Sequence, residues 1–466
     1  MKILFINPSL RPDSPKCIPN VGLAYVASAV ERAGIDLEII DIDANRYTEE
    51  QVEKQIRTKK YDAVGIGTLS SAYRWTKNIT NVIKTHKPNV PIIVGNILGT
   101  SIPKLLLERT YVDIACLGEG DETVVDIISA FDKGLPLDSV NGIMYKNSNE
   151  IVETSPRALI GNIDDIPFPN YDLFDMEIYL EKSKWHVASP DQLGMPFENI
   201  VAMPVNTTRG CPYRCTFCFN AFQSDKFRLR SPANIIAEIE LWKTKYGVNF
   251  VNFWDELTFF HRKQTEKFVD LMNEKNINIH WIASCRSELL KKDDNCLAEK
   301  LRNAGCHGLT FALENANEEI RRAMNKRNSV EGFINQCRIL KQAGINTYNT
   351  VIFGYPQETS ETIAETFNVL AKCNDYPSVG YLLPLPGTPM FDYAIEHGYI
   401  KDVEDYLMIM GDRQDLRVNM TGMTNEEMES AVEGHLIRLS EKLKLGIEKE
   451  KLIKTRTWTG SKGIIA

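Results

Sequence analysis

Cys211, Cys215 and Cys218 fall within eight residues of one another, in the stretch Asn206 to Asn220. Three thiolates that close can point at one centre, and soft thiolates select iron–sulfur clusters, zinc or copper(I). A structural zinc site is normally closed by four ligands. The loop holds no fourth Cys or His, although Cys285, Cys306 or His307 could fold back onto it. The other reading is that three thiolates hold three irons of a [4Fe-4S] cluster and leave the fourth iron open to a ligand. Tyr213, Phe217 and Phe219 flank the thiolates, and such neighbours set a cluster's potential by excluding water.

Six strand-then-helix units position this loop, with strands expected near 201–207, 248–254, 277–284, 307–313, 346–353 and 378–383. Repeated βα units with right-handed crossovers close, or partly close, into a barrel whose active site is assembled at the C-terminal strand ends. Each end carries something chemically capable. The cysteines follow the first strand, Asp255 and Glu256 the second, and Arg286 the third. Glu314 and Asn315 follow the fourth, Gly354, Tyr355 and Pro356 the fifth, and Pro386 to Pro389 the sixth. Taken singly, the acids could be helix caps, and Arg286 could simply pair with Glu314.

Upstream, five short apolar runs near 3–7, 37–42, 61–67, 91–95 and 112–117 alternate with helical segments. Continuous apolar strands between helices imply a parallel sheet covered on both faces, here a flavodoxin-like doubly wound domain. Ligands of such folds sit outside the carboxyl ends of the strands. Those ends carry Asn7 and Pro8, Thr68, Leu69 and Ser70, Gly95 and Asn96, and Gly118, Glu119 and Gly120. Ordinary βα turns favour the same residue types.

The expected division is 1–140 for the doubly wound domain and 141–199 for a hairpin and Pro-containing linker. A partial (β/α)6 barrel follows over 200–390, and a helical extension and tail over 391–466. In the extension, Val432, Leu436, Leu439, Leu443 and Ile447 recur at helical spacing, predicting an amphipathic helix over 425–451. The segment 180–200 is mixed and is expected at the substrate entrance.

The 466 residues are 43% hydrophobic and 25% charged, ordinary for a globular chain, with a formal charge of −8. That charge argues against a nucleic-acid partner. No apolar run reaches the length of a membrane span. The first residues are too quickly polar for a signal peptide, so the expected location is cytoplasmic. The ten cysteines then read as reduced thiols and metal ligands rather than disulfides.

The Cys-x3-Cys-x2-Cys spacing after Thr208-Arg209-Gly210 resembles the radical S-adenosylmethionine (SAM) family. The stretch Ile18 to Ala27 with Gly118 to Thr123 looks like the cobalamin-binding domain that precedes many such barrels. The resemblance spans roughly residues 1–400 and implies three cofactors: a [4Fe-4S] cluster on Cys211, Cys215 and Cys218, SAM, and cobalamin. It places SAM against Phe217, Asp255, Glu256, Arg286, Glu314 and Tyr355. It places cobalamin against Asn7, Pro8, Thr68, Leu69, Ser70, Gly95, Asn96, Gly118, Glu119 and Gly120. This chain departs from the pattern at Gly67, Asn96, Asn315 and Gln357, and its loop from Pro8 to Val21 lacks the axial histidine found in some cobalamin domains.

The activity implied is a cobalamin-dependent radical SAM methyltransferase acting on an unactivated carbon of a small molecule, through a 5′-deoxyadenosyl radical and methylcobalamin. An external electron donor is implied as a partner. A cyclase or rearrangement enzyme with the same cofactors is the alternative. A tRNA methylthiotransferase would need three more N-terminal cysteines, where only Cys17 and Cys116 stand. A non-enzymatic cobalamin sensor would not need the cysteine loop.

Overall fold

The computed structural model describes residues 1–148, 150–220, 227–292, 294–447 and 452. Its first sheet comprises β1 (Lys2–Asn7), β2 (Asp36–Asp41), β3 (Ala63–Gly67), β4 (Ile92–Gly95), β5 (Ile114–Cys116), β6 (Ile143–Asn147) and β7 (Glu150–Glu153). The order is β2-β1-β3-β4-β5-β6-β7, with the first five strands parallel. Strand order reverses between β1 and β3, the switch point of a flavodoxin-like sheet.

Period-two alternation explains why both faces are covered. Ile3 and Phe5 pack with Leu23, Ala27, Val124 and Ile127 on one side. Leu4 and Ile6 pack with Val52, Ile56, Tyr73 and Ile79 on the other. The hairpin expected in the connector is β6–β7, and it pairs antiparallel onto β5. The sheet therefore runs to Glu153, and the boundary expected at residue 140 moves there.

The second domain contains β8 (Ala202–Val205), a short antiparallel ladder of β9 (Thr208–Arg209) and β10 (Arg228–Leu229), then β11 (Phe250–Phe253), β12 (His280–Ser284), β13 (Cys306–Glu314), β14 (Asn346–Phe353) and β15 (Ser378–Tyr381). Except for the ladder, these form one six-stranded parallel sheet in sequential order, whose edge strands β8 and β15 do not pair. This is the expected partial barrel.

Phe253 and Trp281 pack against Phe268 of the helix Arg262–Glu274. Phe250 lies on the opposite face of β11 and packs with Val187, Leu193, Ile200 and Ala202. Phe250 is the first residue of its strand, so the segment 187–200 covers the N-terminal end of the barrel, while His186 packs edge-on against Trp254, just past the other end of β11.

In the extension, the helix Asn425–Leu443 buries Met428, Val432, Leu436 and Leu439. It packs on the helix Ser360–Cys373, with His435 stacked on Phe367 at 5.1 Å. It ends at Leu443, where Lys444 turns left-handed at φ 54°. Residues 448–451, to which the helix was expected to run, lie outside the described residues. A shorter helix, Val403–Ile409, ties the extension to the first domain, where Tyr73 Oη donates to Glu404 Oε1 at 2.9 Å.

Candidate active site between the two domains

The cysteine loop is held by its neighbours. Thr216 N donates to Met324 O at 3.1 Å and Met390 N donates to Thr216 O at 3.1 Å. Thr216 Oγ1 donates to Ala323 O at 2.9 Å and shares a 2.8 Å bond with the Tyr355 hydroxyl. Asn325 Nδ2 reaches Arg214 O, and Asn220 Nδ2 reaches Cys211 O, both at 2.8 Å. The loop is thus tied to backbone at points between the cysteines.

Cys218 presents exposed surface, yet burial, then Cys215, Cys211, Glu314 and Glu256, push its thiol up to about 12. Glu256 is likewise exposed while burial raises its carboxyl. Both facts hold together if these groups open onto an interior space rather than bulk water. Among the described residues, no group of three or more His, Cys, Asp or Glu side chains could hold a single metal ion. Cys306 and His307 stand at the start of β13, the end of that strand remote from the loop, and His307 is engaged with Ala188 O at 2.9 Å. Cys285 is buried and accepts from Gln336 Nε2 at 3.7 Å. None of the three thus gives a zinc site its fourth ligand, while a cluster binds each thiolate to a different iron and requires no common point.

A cavity of about 280 Å³ lies between the domains. Gly67, Gly95, Asn96, Gly118 and Gly120 line it from the first sheet, and Asn206, Thr208, Gly210 and Glu256 from the barrel. At Gly118 an added Cβ would meet nothing within 4 Å, and at Gly95 its nearest neighbour would be Cys116 Cβ at 3.5 Å. These glycines therefore leave open a cradle that side chains would fill. The buried hydroxyl of Thr68 has no hydrogen-bond partner among the described residues. Leu69 is exposed beside it, and Pro8 is buried.

Several expected site residues are engaged elsewhere. Asn7 is buried and donates to Asp41 Oδ1 at 2.9 Å and to Tyr179 Oη at 3.1 Å. Ser70 bonds Ser101. Glu119 lines the cavity, with its carboxylate bound by Arg209 and Arg228. Tyr355 has no exposed surface and spends its hydroxyl on Thr216, and Phe217 packs beside it in the same apolar core.

Asp255 accepts from Thr207 N at 2.7 Å, Thr208 N at 3.1 Å and Thr207 Oγ1 at 2.6 Å. Burial still pushes its carboxyl up to about 6. Asp255 therefore fastens the strand leading into the cysteine loop, and Glu256 is the carboxylate that faces the cavity.

Glu314 ends β13 at φ 60°, a left-handed conformation that bulky residues rarely adopt, where the β13–β14 register shifts. Its Oε1 accepts from Lys326 Nζ at 2.8 Å, with both side chains at most 8% exposed. Its Oε2 is buried without a partner among the described residues. Arg286 stacks on the Tyr213 ring at 3.9 Å, beside Cys211.

Two family models match in tandem: "B12 binding domain" over residues 13–128 and "Radical SAM superfamily" over 205–370. The chain carries a B12-binding domain and a radical SAM domain in tandem. An uncharacterized methyltransferase of Pyrococcus horikoshii is 29% identical over 86% of this chain and 84% of its own. The anaerobic magnesium-protoporphyrin IX monomethyl ester cyclase of Rubrivivax gelatinosus is 27% identical over 87% of this chain and 72% of its own. Among solved structures, the methyltransferase TsrM of Kitasatospora setae, with cobalamin and a [4Fe-4S] cluster bound, superposes with a TM-score of 0.68 at 17% identity, covering 85% of this chain and 78% of that one.

The residues of this radical SAM chain fit the groups its family uses. Three thiols without a fourth ligand suit a cluster with an open iron. Glu256 and Arg286 carry charges complementary to a zwitterionic amino acid, and the open Oε2 of Glu314 can accept from a neutral hydroxyl. The glycine-lined space suits a flat group, and its size matches a base-sized portion of a larger ligand rather than a whole corrinoid. Sequence reading missed Arg209, Arg228, Asp121, Thr216 and Lys326, because each acts through a tertiary contact, 12 residues away for Lys326 and 88 or more for the others. Only Arg209, between Thr208 and Gly210 just before Cys211, carried a local signal.

Proposed function

We propose that this protein is a cobalamin-dependent radical SAM methyltransferase that acts on an unactivated carbon of a small molecule. One observation carries the reading: the glycine-lined strand ends of the first sheet and the approach to the cysteine loop share a single cavity. When bound, the cluster with SAM supplies a carbon-centred radical and the corrinoid a transferable methyl group, and this chemistry requires the two to face one space.

Cys211, Cys215 and Cys218 would ligate the cluster. Glu256 would accept from the SAM amino group, a charge-assisted bond that fixes orientation as well as affinity. Arg286 would face the carboxylate, its plane held by Tyr213. Glu314 would take the ribose through its unpartnered Oε2, braced by Lys326. Gly95, Asn96, Gly118 and Gly120 would receive the corrinoid's flat end, with Thr68 Oγ1 free to bond its polar fringe. An external electron donor would supply the electron this chemistry consumes. No described helix is long and apolar enough to cross a membrane.

The cyclase relative supports a second reading, ring formation with the same cofactors. Turnover with methyl-labelled SAM separates the two. Methyl transfer yields labelled product with S-adenosylhomocysteine and 5′-deoxyadenosine, whereas deoxyadenosine without label in product favours the cyclase. Retention of full iron content in the Cys215→Ala, Cys218→Ala double variant would overturn the cluster assignment.

A further inference from the structure

Arg209 stands two residues before Cys211 and reaches across to the first domain. Its Nη1 donates to Glu119 Oε1 at 2.7 Å and to Asp121 Oδ2 at 2.9 Å, and its Nη2 donates to Asp121 Oδ1 at 3.0 Å. Glu119 also accepts from Arg228 Nη1, at 2.9 and 3.0 Å, and from Ile160 N at 2.8 Å. All four charged side chains are at most 17% exposed.

Arg209 and Arg228 face each other across the β9–β10 ladder. The two carboxylates therefore grip both strands of the ladder that flanks the cysteine loop. They belong to the start of the helix Gly120–Lys133, whose first residues line the interdomain cavity together with Gly118. Arg209 and Gly210 line the same cavity from the barrel side.

A bidentate guanidinium–carboxylate pair is directional, because two parallel hydrogen bonds fix the relative plane of the partners. A ligand seated on Gly118 and Gly120 bears on the backbone whose carboxylates hold Arg209. A shift there reaches Cys211 through two peptide units, since packed, charge-paired elements move together rather than deform smoothly.

We infer that Arg209, held by Asp121 and Glu119, is a positioning residue that fixes Cys211 relative to the corrinoid pocket, so that occupancy of the pocket and assembly of the cluster favour one another. The inference rests on the two-cofactor reading given above. Glu119 then serves this linkage rather than touching the corrinoid. Linkage is reciprocal: whatever factor the cluster adds to corrinoid affinity, the corrinoid adds to cluster stability.

The test uses the full chain, with and without anaerobic cluster reconstitution, titrated with hydroxocobalamin by visible absorbance. The cluster-loaded protein is expected to bind about tenfold more tightly than the cluster-free protein, within the usual range of coupling between sites. A second readout is the electron paramagnetic resonance spectrum of the reduced cluster, which should change on adding hydroxocobalamin. In Arg209→Gln and in Asp121→Asn the affinity ratio should fall to within about twofold of unity. Their spectra should no longer respond, at wild-type iron content and circular dichroism. Arg209→Lys should restore the ratio only in part, because an ammonium cannot make the bidentate pair.

Should Arg209→Gln fail to fold, Asp121→Asn, which keeps the side-chain volume, decides. A wild-type ratio of one, or a wild-type ratio retained in the variants, overturns the inference while leaving the two-cofactor reading intact. Wild-type protein that binds no hydroxocobalamin at all overturns that reading, and the inference with it.

Discussion

Replacing Lys326 by Met removes the partner of Glu314 while keeping an unbranched chain of similar length. The ammonium lies 2.8 Å from Glu314 Oε1, and neither side chain is more than 8% exposed. At an effective dielectric of about 20, two unit charges that close attract by about 6 kcal/mol. Most of this is offset by the desolvation of both ions, but removing one partner leaves the other charge buried and alone, which costs about 3–5 kcal/mol. Glu314 is already short of one bond at Oε2, and its backbone is left-handed, so the site has little slack to absorb the loss.

The expected effect is a fall in the urea midpoint of roughly 1–1.7 M, taking m as about 3 kcal/mol/M. Unfolding is followed under anaerobic conditions by tryptophan fluorescence, since Trp242 and Trp281 are buried in the barrel core. Adding Glu314→Gln to Lys326→Met should recover stability to within about 1 kcal/mol of wild type, as the buried charge is then gone. A single variant within about 1 kcal/mol of wild type, or a double variant no more stable than the single one, would refute the reasoning.

Gly95→Val should weaken hydroxocobalamin binding about tenfold or more at unchanged iron content, since its Cβ meets only Cys116 Cβ at 3.5 Å and its methyls enter the cavity. Unaltered affinity by visible titration would remove Gly95 from the cofactor pocket. Glu256→Gln should raise the SAM dissociation constant of the cluster-loaded protein about 10- to 100-fold without lowering its melting temperature, whereas Asp255→Asn should lower the melting temperature by loosening residues 207 and 208. Calorimetric titration and a melt on each variant check this, and equal SAM affinity in Glu256→Gln and wild type would count against the assignment.

Burial pushes the Glu358 carboxyl up to about 7, against bonds from Thr362, Asn315 and Gly354. The folded state then holds its proton more tightly than the unfolded chain. This group's stabilising contribution is complete below its ordinary value of 4.5 and is lost as pH rises through about 7. The difference amounts to about 3 kcal/mol, and Glu358→Gln should flatten that part of the stability–pH curve. An unchanged slope in urea titrations from pH 5 to pH 8 would contradict it.

The sequence by itself determined the elements and the cluster loop. Apolar runs such as Ile3 to Ile6 alternate sides by the strand period, so they name a two-faced sheet before any contact is known. The sequential β11 to β15 units likewise name a barrel, because parallel neighbours need a helix between them. The Cys spacing carries its chemistry locally, within one loop.

Only the tertiary structure decided which polar residues at the strand ends face the cavity and which hold the scaffold. Asp255 and Glu256 are adjacent and both acidic, yet three hydrogen bonds from residues 207 and 208 claim the first and leave the second to the cavity. Glu119 sits in a glycine-rich turn that suits a ligand, but two arginines some 90 and 109 positions away along the chain claim its carboxylate. The hairpin β6–β7 joined the first sheet because β5 offered an open edge, which no property of its own residues announces. A side chain's local pattern states what it can bond to. Its partner is set by which distant segments the packed core brings within about 3 Å, the reach of a hydrogen bond.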